Sequence, residues 1–209
     1  MDRLPPFDEL NNLRSELEQD FAGGLEQRKK RKPYIIDEIL EMLIMAYMYG
    51  NEAGNEMLYG PTEQPNGNVK RTVDIDLDEM DDAVFRVIAG KDWQERVSEY
   101  LDDLNGTVDE IIRVVDTDMN RVYNDSILNV GAGADSVGGE EKRPVMKTWE
   151  TMLDDKVRDT HEYLEGTSVP WDREFYTFDG DKAQYPGGFT LPQNNINCRC
   201  RIVLSYGNR

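Results

Sequence analysis

The first 130 residues carry apolar side chains at the spacing of amphipathic helices. The clearest pattern lies in residues 33–59, where apolar residues recur in pairs at helical intervals. These residues are Ile35, Ile36, Ile39, Leu40, Leu43, Ile44, Tyr47 and Met48. Because residues three or four apart share one helix face, the pattern predicts an amphipathic helix over 33–59. Pro33 suits its first turn, and Gly50 can end its periodic part.

Further helices are predicted on both sides of this one. Within a charged arm, residues 1–32, the stretch 8–21 has helical character and ends at a Gly-Gly pair. Residues 60–77 carry turn chemistry and are predicted as a loop, whereas residues 78–130 are predicted as helices. Two pairs of residues have the spacing of a capping box: Asp92 with Glu95, and Thr107 with Glu110. Each pair is expected to start a helix.

The last third of the chain has a different pattern. Residues 131–144 include the run GAGADSVGG, which predicts a Gly-rich linker. Read as a helix, residues 145–165 place a mostly apolar stripe on one face, formed by Trp149, Leu153, Val157, Thr160 and Leu164. Aromatic residues among Pro and Gly turns then predict a small antiparallel sheet, with one strand running from Cys198 to Leu204. The sequence therefore predicts an α+β fold, with a mainly helical N-terminal region and a small helix-plus-antiparallel-sheet module over 145–209.

Charge limits the partners that the chain is expected to have. It contains 42 Asp and Glu against 24 Lys and Arg, which gives a formal charge of −18. Since DNA phosphates are bound mainly through Lys and Arg, extensive contact with DNA is not expected. One basic cluster stands apart, formed by Arg28, Lys29, Lys30, Arg31 and Lys32. It has two interpretations, a local contact with nucleic acid or an acidic partner, and an arm that is solvated or paired with the chain's own acidic surface.

Neither a membrane segment nor a secretion signal is predicted. No apolar run approaches the roughly 20 residues that span a bilayer. The start of the chain lacks the basic-then-apolar pattern of a signal peptide. The two cysteines, Cys198 and Cys200, would share one face of a strand, where they lie too far apart for an undistorted disulfide. We therefore expect a soluble, non-secreted protein in a reducing compartment.

The rarest residue types gather near the end of the chain. His161 is the only histidine, and the only two cysteines lie in the sequence NCRC, residues 197–200. On the predicted helix, His161 shares a stripe with Asp154 and Arg158. On a strand, both cysteines point to one face while Arg199 points to the other. Because two distant stretches both concentrate unusual residues, we expect His161 to lie close to the cysteines in the fold.

Three chemical interpretations are open for these residues. His161, Cys198 and Cys200 could ligate zinc, whose usual ligands are imidazole and thiolate, with water or a carboxylate in the fourth place. Alternatively, the cysteines are ordinary buried residues and the histidine is hydrogen-bonded. The third interpretation is catalysis, with one cysteine as nucleophile, His161 as base and either Asp154 or Asn197 as the residue that orients it. A strand flanked by arginines, however, lacks the exposed thiol that cysteine hydrolases use.

Several spaced residues also carry a resemblance to a known family. In the last third they are Lys147, Trp149, Asp154, Asp155, Arg158, His161, Gly166, Phe175, Pro186, Asn197, Cys198, Arg199 and Cys200. Upstream they are Lys91, Asp92, Trp93, Glu95 and Arg96, followed by Asp116, Thr117, Asp118, Arg121 and Asn124. With these residues the chain resembles phage Mu F-like minor head proteins, which are head-morphogenesis proteins of tailed bacteriophages. Asp118 stands where glutamate is expected in that family.

The resemblance implies a structural role and no enzymatic activity. It implies a minor head protein that associates with the portal protein and the prohead interior, and that accompanies DNA at ejection. It places the chain inside the capsid of the virion, and in the host cytoplasm during assembly. The residues that would build the compact module are Trp149, Asp154, Arg158, His161, Asn197, Cys198, Arg199 and Cys200. The alternative function is a virion-associated enzyme or a zinc-binding module that uses His161 with the two cysteines.

Overall fold

The N-terminal region is helical in the computed structural model, which describes residues 7–60, 93–136 and 143–208. The loop predicted at residues 61–77, the helix predicted at 78–92 with the cap at Asp92, and residues 137–142 of the predicted linker lie outside the described residues. Before residue 137, the described part contains four helices: α1 Phe7–Ala22, α2 Leu25–Tyr59, α3 Trp93–Asp102 and α4 Val108–Ser136. None of the described helices is both long enough and apolar enough to cross a membrane. The helical character predicted for this region is confirmed.

Helix α2 begins before the start that the sequence pattern predicts. It starts at Leu25, so Pro33 lies inside the helix instead of in its first turn. Most of the described part of the predicted charged arm is therefore helical. Arg31 lies 2.6 Å from Glu16 and 3.3 Å from Asp20, both on α1, so the extra turns of α2 pair with the preceding helix. Core packing of α2 against α1, together with these ion pairs, outweighs the cost of a proline inside a helix, about 3 kcal/mol.

The prediction that Gly50 ends the periodic part of the helix is wrong, because Gly50 is buried where α2 crosses α4. A methyl group at Gly50 would lie 2.3 Å from the carbonyl oxygen of Tyr123. One turn later, a methyl group at Gly54 would lie 3.1 Å from Cβ of Val130. Glycine at both positions therefore allows the two helices to approach each other closely. Close packing explains these glycines better than helix termination does.

The four helices enclose a first core of mainly aliphatic side chains. Its fully buried members include Leu13, Leu17, Ile35, Ile39, Leu43 and Ile111. Three of them belong to the apolar stripe predicted on α2, whereas Met48 of that stripe is exposed. The predicted capping box at the start of α4 is also confirmed. The backbone N–H of Thr107 donates to Glu110 Oε2 at 2.9 Å, and the backbone N–H of Glu110 donates to Thr107 Oγ1 at 3.3 Å.

The linker predicted at residues 131–144 is wrong for residues 131–136, which continue α4 as helix. Gly131 is buried against the C-terminal sheet. A methyl group at this position would lie 3.2 Å from Leu204 Cδ2 and 3.6 Å from Val145 Cγ1. The small residues thus allow a sheet to pack against the end of the helix. The Gly-rich composition indicated a flexible linker, because composition carries no information about the sheet that packs on these residues.

The C-terminal module combines short helices with antiparallel strands. Its elements are β1 Val145–Glu150, α5 Asp159–Glu162, β2 Ser168–Pro170, β3 Phe175–Tyr176, β4 Lys182–Ala183, α6 Pro192–Asn195 and β5 Arg201–Tyr206. Strand β1 is the centre of a three-stranded sheet with the order β2-β1-β5, and β3 pairs with β4. Trp149 lies opposite Ile202 in the antiparallel register of β1 and β5. The predicted α+β fold is confirmed.

The helix predicted over residues 145–165 is wrong, because its first part is strand β1. Along β1, Val145, Lys147 and Trp149 are fully buried and the residues between them are partly exposed. The alternation was hidden because one inward position holds a lysine, whose ammonium donates to the carbonyl oxygen of Gln184 at 2.7 Å. Leu153, expected on a buried helix stripe, is instead 78% exposed. Helix in this stretch is limited to Asp159–Glu162.

The module packs on the helical region through a second core. This core combines Trp149, Phe175, Phe189 and Ile202 of the module with residues of both long helices. The contributions from α2 and α4 are Leu58, Tyr123 and Ile127. Both α2 and α4 therefore contribute to both cores.

Candidate metal centre

His161 and the two cysteines are placed by different parts of the module. His161 lies in the short helix α5, and the cysteines lie in an extended segment that leads into β5. The strand predicted through Cys198 begins only at Arg201. The alternation predicted for this segment is nevertheless present, because Cys198 and Cys200 are buried while Arg199 is partly exposed.

The three side chains converge on one point, which confirms the predicted proximity. Nδ1 of His161 lies 3.5 Å from Sγ of Cys198 and 3.4 Å from Sγ of Cys200. All three ligand atoms lie within 4.8 Å of one another. His161 is 1% exposed and each cysteine is 4% exposed. Both cysteines are free thiols. Imidazole with two thiols is a donor set that suits zinc.

Aromatic rings hold the imidazole in place. Trp149 contacts His161 edge-on with ring centroids 5.3 Å apart, and Phe189 stacks on it at 5.4 Å. Nε2 of His161 has no hydrogen-bond partner in the described part of the chain. The ring orientation that turns Nδ1 toward both sulfur atoms is therefore fixed by packing.

The two thiols differ in acidity because they lie side by side. A hydrogen bond from the Cys200 thiol lowers the pKa of Cys198 well below its ordinary value, with a further contribution from His161, although burial acts in the opposite direction. The same contact with Cys198, together with burial, raises the pKa of Cys200. The Cys198 thiolate is therefore favoured, and the thiolate is the form of cysteine that binds metals.

A small cavity adjoins the three donor atoms. Its volume is about 10 Å³, and its lining includes Met152, Val157, Arg158, Asn197 and Arg199 together with the donor residues. Sites for small-molecule substrates usually occupy roughly 300 to 1,000 Å³. The cavity matches the size of one water molecule, so the surroundings of the thiols favour a closed site over a substrate-binding one.

Two arginines at the site bind other segments of the chain. Arg199 donates to both carboxylate oxygens of Asp154, at 2.7 and 2.6 Å. This hydrogen bonding lowers the pKa of Asp154. Arg158 shares the predicted helix stripe with Asp154, but the helix does not form at this position, and Arg158 donates to the carbonyl oxygens of Gln193 and Ile196. Asp154 is thus engaged by Arg199 and does not orient His161, which removes one of the two orienting residues considered in the catalytic interpretation.

Helix α4 positions the cysteine segment through one polar face. Asn124 accepts from the Ile202 backbone N–H at 2.9 Å and donates to the Cys200 carbonyl oxygen at 3.2 Å. Thr117 Oγ1 accepts from the Asn197 backbone N–H at 3.3 Å. In the sequence, Thr117 and Asn124 stand out only through the family resemblance, which implies no role for either residue. The two residues are seven apart, about two helical turns, so they share one face of α4; this spacing is the signal that could have identified them.

A loop network that no sequence pattern predicts supports the other side of the site. Asp181 accepts from the backbone N–H groups of Thr190 and Leu191, at 3.1 and 2.9 Å, and from the Asn194 side chain at 3.1 Å. Asn195 pairs with both backbone groups of Phe189, the residue that stacks on His161. These polar residues lie in loops and in the short helix α6, so no periodic pattern marks them.

Comparison with known proteins gives one family and two relatives. The family model described as Phage Mu protein F like protein matches residues 78–203. NAD(+)--arginine ADP-ribosyltransferase EFV of Enterococcus faecalis (strain ATCC 700802 / V583) is 29% identical over 154 residues, which are 62% of this chain and 31% of that protein. Minor head protein GP7 of Bacillus phage SPP1 is 27% identical over 73 residues, 35% of this chain and 24% of that protein. The chain thus spans less than a third of either relative. No solved structure matches.

Proposed function

This chain belongs to the Phage Mu protein F like family of phage minor head proteins, and from that premise we propose that it acts as a structural component during head assembly. Its proposed action is to bind the portal protein or the inner face of the prohead, and it catalyses no reaction. It stays inside the capsid and accompanies the DNA at ejection. The observation that carries the proposal is the family match over residues 78–203, which includes α3, α4 and nearly all of the module.

The contacts around the site support a structural role. Charged side chains there join segments of the chain to one another. Arg199 holds Asp154, and Arg201 holds Glu150 on the neighbouring strand at 2.8 Å. The buried thiols adjoin a cavity of about 10 Å³. Such a site can stabilise a module that binds another protein, but it offers a substrate little room.

An exposed aromatic pair on the module is the surface that we propose for the partner. Tyr163 and Phe178 are 65% and 63% exposed, and their rings contact each other edge-on at 6.1 Å. Aromatic side chains are enriched in protein interfaces, because each one buries a large area with few rotatable bonds. The aromatic pair, Tyr163 and Phe178, thus offers a hydrophobic contact for the portal or the inner shell.

Contact with DNA, in this proposal, is local at most. Arg28 of the basic cluster is buried and donates to the carbonyl oxygen of Asp103 at 2.7 Å. Arg31 pairs with α1, and Lys32 pairs with Asp102 at 2.6 Å. Lys29 and Lys30 are exposed. Three of the five basic residues therefore bind the chain's own acidic and backbone groups, and only a small contact with DNA is expected from Lys29 and Lys30.

Incorporation into proheads tests the proposed binding. The double variant Tyr163→Ser and Phe178→Ser should fold normally, because both side chains are exposed, yet it should enter proheads at a strongly reduced level. Tyr34→Ser is the matched control, since Tyr34 is also 65% exposed but lies on α2. Immunoblots of purified proheads and thermal melts of the free proteins provide the measurements. Normal incorporation of the double variant would exclude the aromatic pair as the contact, and absence of the wild-type chain from proheads and virions would contradict the head-protein role.

A separate assay tests the proposal that no reaction is catalysed. One relative is named an NAD(+)--arginine ADP-ribosyltransferase, so the full chain should be incubated with labelled NAD⁺ and an arginine-containing acceptor. We expect no transfer of label. Transfer that the wild-type chain catalyses, or a His161→Gln variant that is stable and incorporated yet gives non-infectious particles, would favour an enzymatic or metal-dependent step instead.

A further inference from the structure

We propose that Nδ1 of His161 and the Sγ atoms of Cys198 and Cys200 bind one zinc ion that stabilises the module. This inference is independent of the partner proposed above. It assigns the ion a structural role, in which it joins α5 to the segment that leads into β5. The convergence of the three buried donors carries the inference.

The distances suit tetrahedral coordination. With Zn–N bonds of about 2.0 Å and Zn–S bonds of about 2.3 Å, a tetrahedral angle places nitrogen and sulfur about 3.5 Å apart. The two observed distances from His161 Nδ1 are 3.5 and 3.4 Å. Only small side-chain movements would be needed to place an ion between the donors.

The chemistry of the donors selects the kind of metal. Two thiolates and one imidazole favour zinc, whereas Mg²⁺ and Ca²⁺ require oxygen ligands. The acidic side chain near this site, Asp154, is already held by Arg199 through two hydrogen bonds. A bound cation would also stabilise both thiolates, which otherwise repel each other in a buried position.

The fourth position suits a water molecule and no larger ligand. The cavity beside the donors has a volume of about 10 Å³, close to the minimum that holds one water. Asn197 and Arg158 contribute polar groups to its lining. Catalytic zinc sites also have three protein ligands and a water, but they open onto space for a substrate. The small cavity therefore favours a structural ion.

The neighbouring structure holds the donors in position before an ion binds. Asn124 and Thr117 of α4 hydrogen-bond to the backbone on both sides of the cysteines. Trp149 and Phe189 orient the imidazole. A preorganised donor set loses less conformational entropy when the ion binds. A larger part of the free energy of zinc binding would therefore stabilise the folded chain.

Metal analysis of the full chain, purified without chelators, tests the inference. We expect about one zinc per chain by elemental analysis. At a zinc concentration a hundred times the Kd, the melting temperature should be about 5 to 10 °C higher than that of the metal-free protein. Mg²⁺ should have no such effect. Replacement by Co²⁺ should give visible bands of tetrahedral cobalt and a near-ultraviolet thiolate-to-cobalt band.

Variants then separate ligation from folding. Cys200→Ser and His161→Gln should each lose most of the bound zinc. Phe175→Leu is the control, because Phe175 packs on Trp149 in the same core but offers no donor atom, so this variant should be less stable yet retain zinc. Wild-type protein that binds no zinc after equilibration, or a cobalt complex without the thiolate band, would overturn the inference whether or not the variants fold. Full zinc content in Cys200→Ser would overturn it as well.

Discussion

The helical region and the C-terminal module are held together by different kinds of core. In the helical core, burial follows helix periodicity, and residues such as Leu17 and Ile39 make contacts without directional requirements. The module core places Lys147, His161 and Asn195 among aromatic rings, each at most 2% exposed. Because buried polar groups need partners at defined angles, the module core depends on hydrogen bonds, whereas the first core depends mainly on apolar area. Buried polar residues of α4 such as Arg121 and Asn124 donate to backbone carbonyl groups of the module. We therefore expect the two regions to respond differently to substitutions of similar size.

The largest effect is expected at Gly50, where the helical region depends on geometry more than on area. A methyl group in Gly50→Ala would lie 2.3 Å from the Tyr123 carbonyl oxygen, so α2 and α4 would have to separate. We expect a loss of about 3 kcal/mol in the free energy of unfolding, measured by urea denaturation. Gly133→Ala is the control, because nothing lies within 4 Å of its added methyl group and the same exchange should stabilise α4 by about 0.5 to 1 kcal/mol. Equal stability of Gly50→Ala and wild type would show that α2 and α4 cross at a greater distance than the structure indicates.

Two substitutions, one in each core, test the comparison directly. Asn195→Leu removes the side-chain partner of the Phe189 backbone N–H and carbonyl oxygen, which lie at 2.9 and 2.6 Å. Leaving these buried groups unpaired should cost about 2 to 3 kcal/mol. Leu17→Met, in the helical core, should cost less than about 1.5 kcal/mol. Chemical denaturation of both variants provides the measurement, and similar losses would remove the distinction between the two cores.

One carboxylate in each region should contribute to the acid response with opposite sign. Burial acts to raise the pKa of Asp181, but hydrogen bonds from Asn194 and from backbone N–H groups outweigh it and lower this pKa. Its stabilisation is therefore complete above the unfolded pKa of about 3.9 and is lost as the pH falls through the lower folded value. Burial raises the pKa of Glu38 on α2, with like charges adding to it, so protonation of Glu38 as the pH falls relieves an unfavourable charge.

Stability measured from pH 7 to pH 2 separates these contributions. Asp181→Asn should lower stability at pH 7 by about 1.5 kcal/mol, because charged hydrogen bonds become neutral, and it should weaken the loss in acid. Glu38→Gln should instead raise stability at pH 7. An acid transition that is unchanged in Asp181→Asn would show that other carboxylates cause it.

The smallest effect is expected at the capping box of α4. Thr107→Ala removes the hydroxyl that accepts the Glu110 backbone N–H at an exposed helix end. A loss of about 1 kcal/mol is expected, since water can replace part of the cap. Thr107→Ser keeps the hydroxyl and should stay close to wild type in thermal unfolding. If Thr107→Ala and Thr107→Ser are equally stable, the cap does not stabilise the native state.

The sequence predicted the helical region well because local signals determine it. Apolar periodicity located the core side of α2, and the spacing of Thr107 and Glu110 marked the start of α4. Its errors arose where tertiary contacts decide, as at Gly50 and Gly131, which looked like helix ends but are packing positions. Strand β1 was missed because Lys147 is buried at an inward position, which made its alternation resemble a helix pattern.

The candidate site was predicted only in part. The rarity of His161, Cys198 and Cys200 predicted their convergence, because chance seldom brings such residues into two distant stretches. The predicted stripe of Asp154, Arg158 and His161 is wrong, because the helix that it depends on begins only at Asp159. The network around Asp181 gave no sequence signal, because polar loop residues acquire their contacts only after the chain has folded.

The contribution of α2 and α4 to both cores has a consequence for how the protein opens. Along α4, Ile111 and Val115 lie in the first core, and Tyr123 and Ile127 lie in the second. If either core lost its packing, α4 would shift and lose its contacts in the other core as well. We therefore expect the described regions to unfold in one cooperative step. Amide hydrogen exchange in the middle of α4 should be among the slowest in the chain, because exchange there requires global opening.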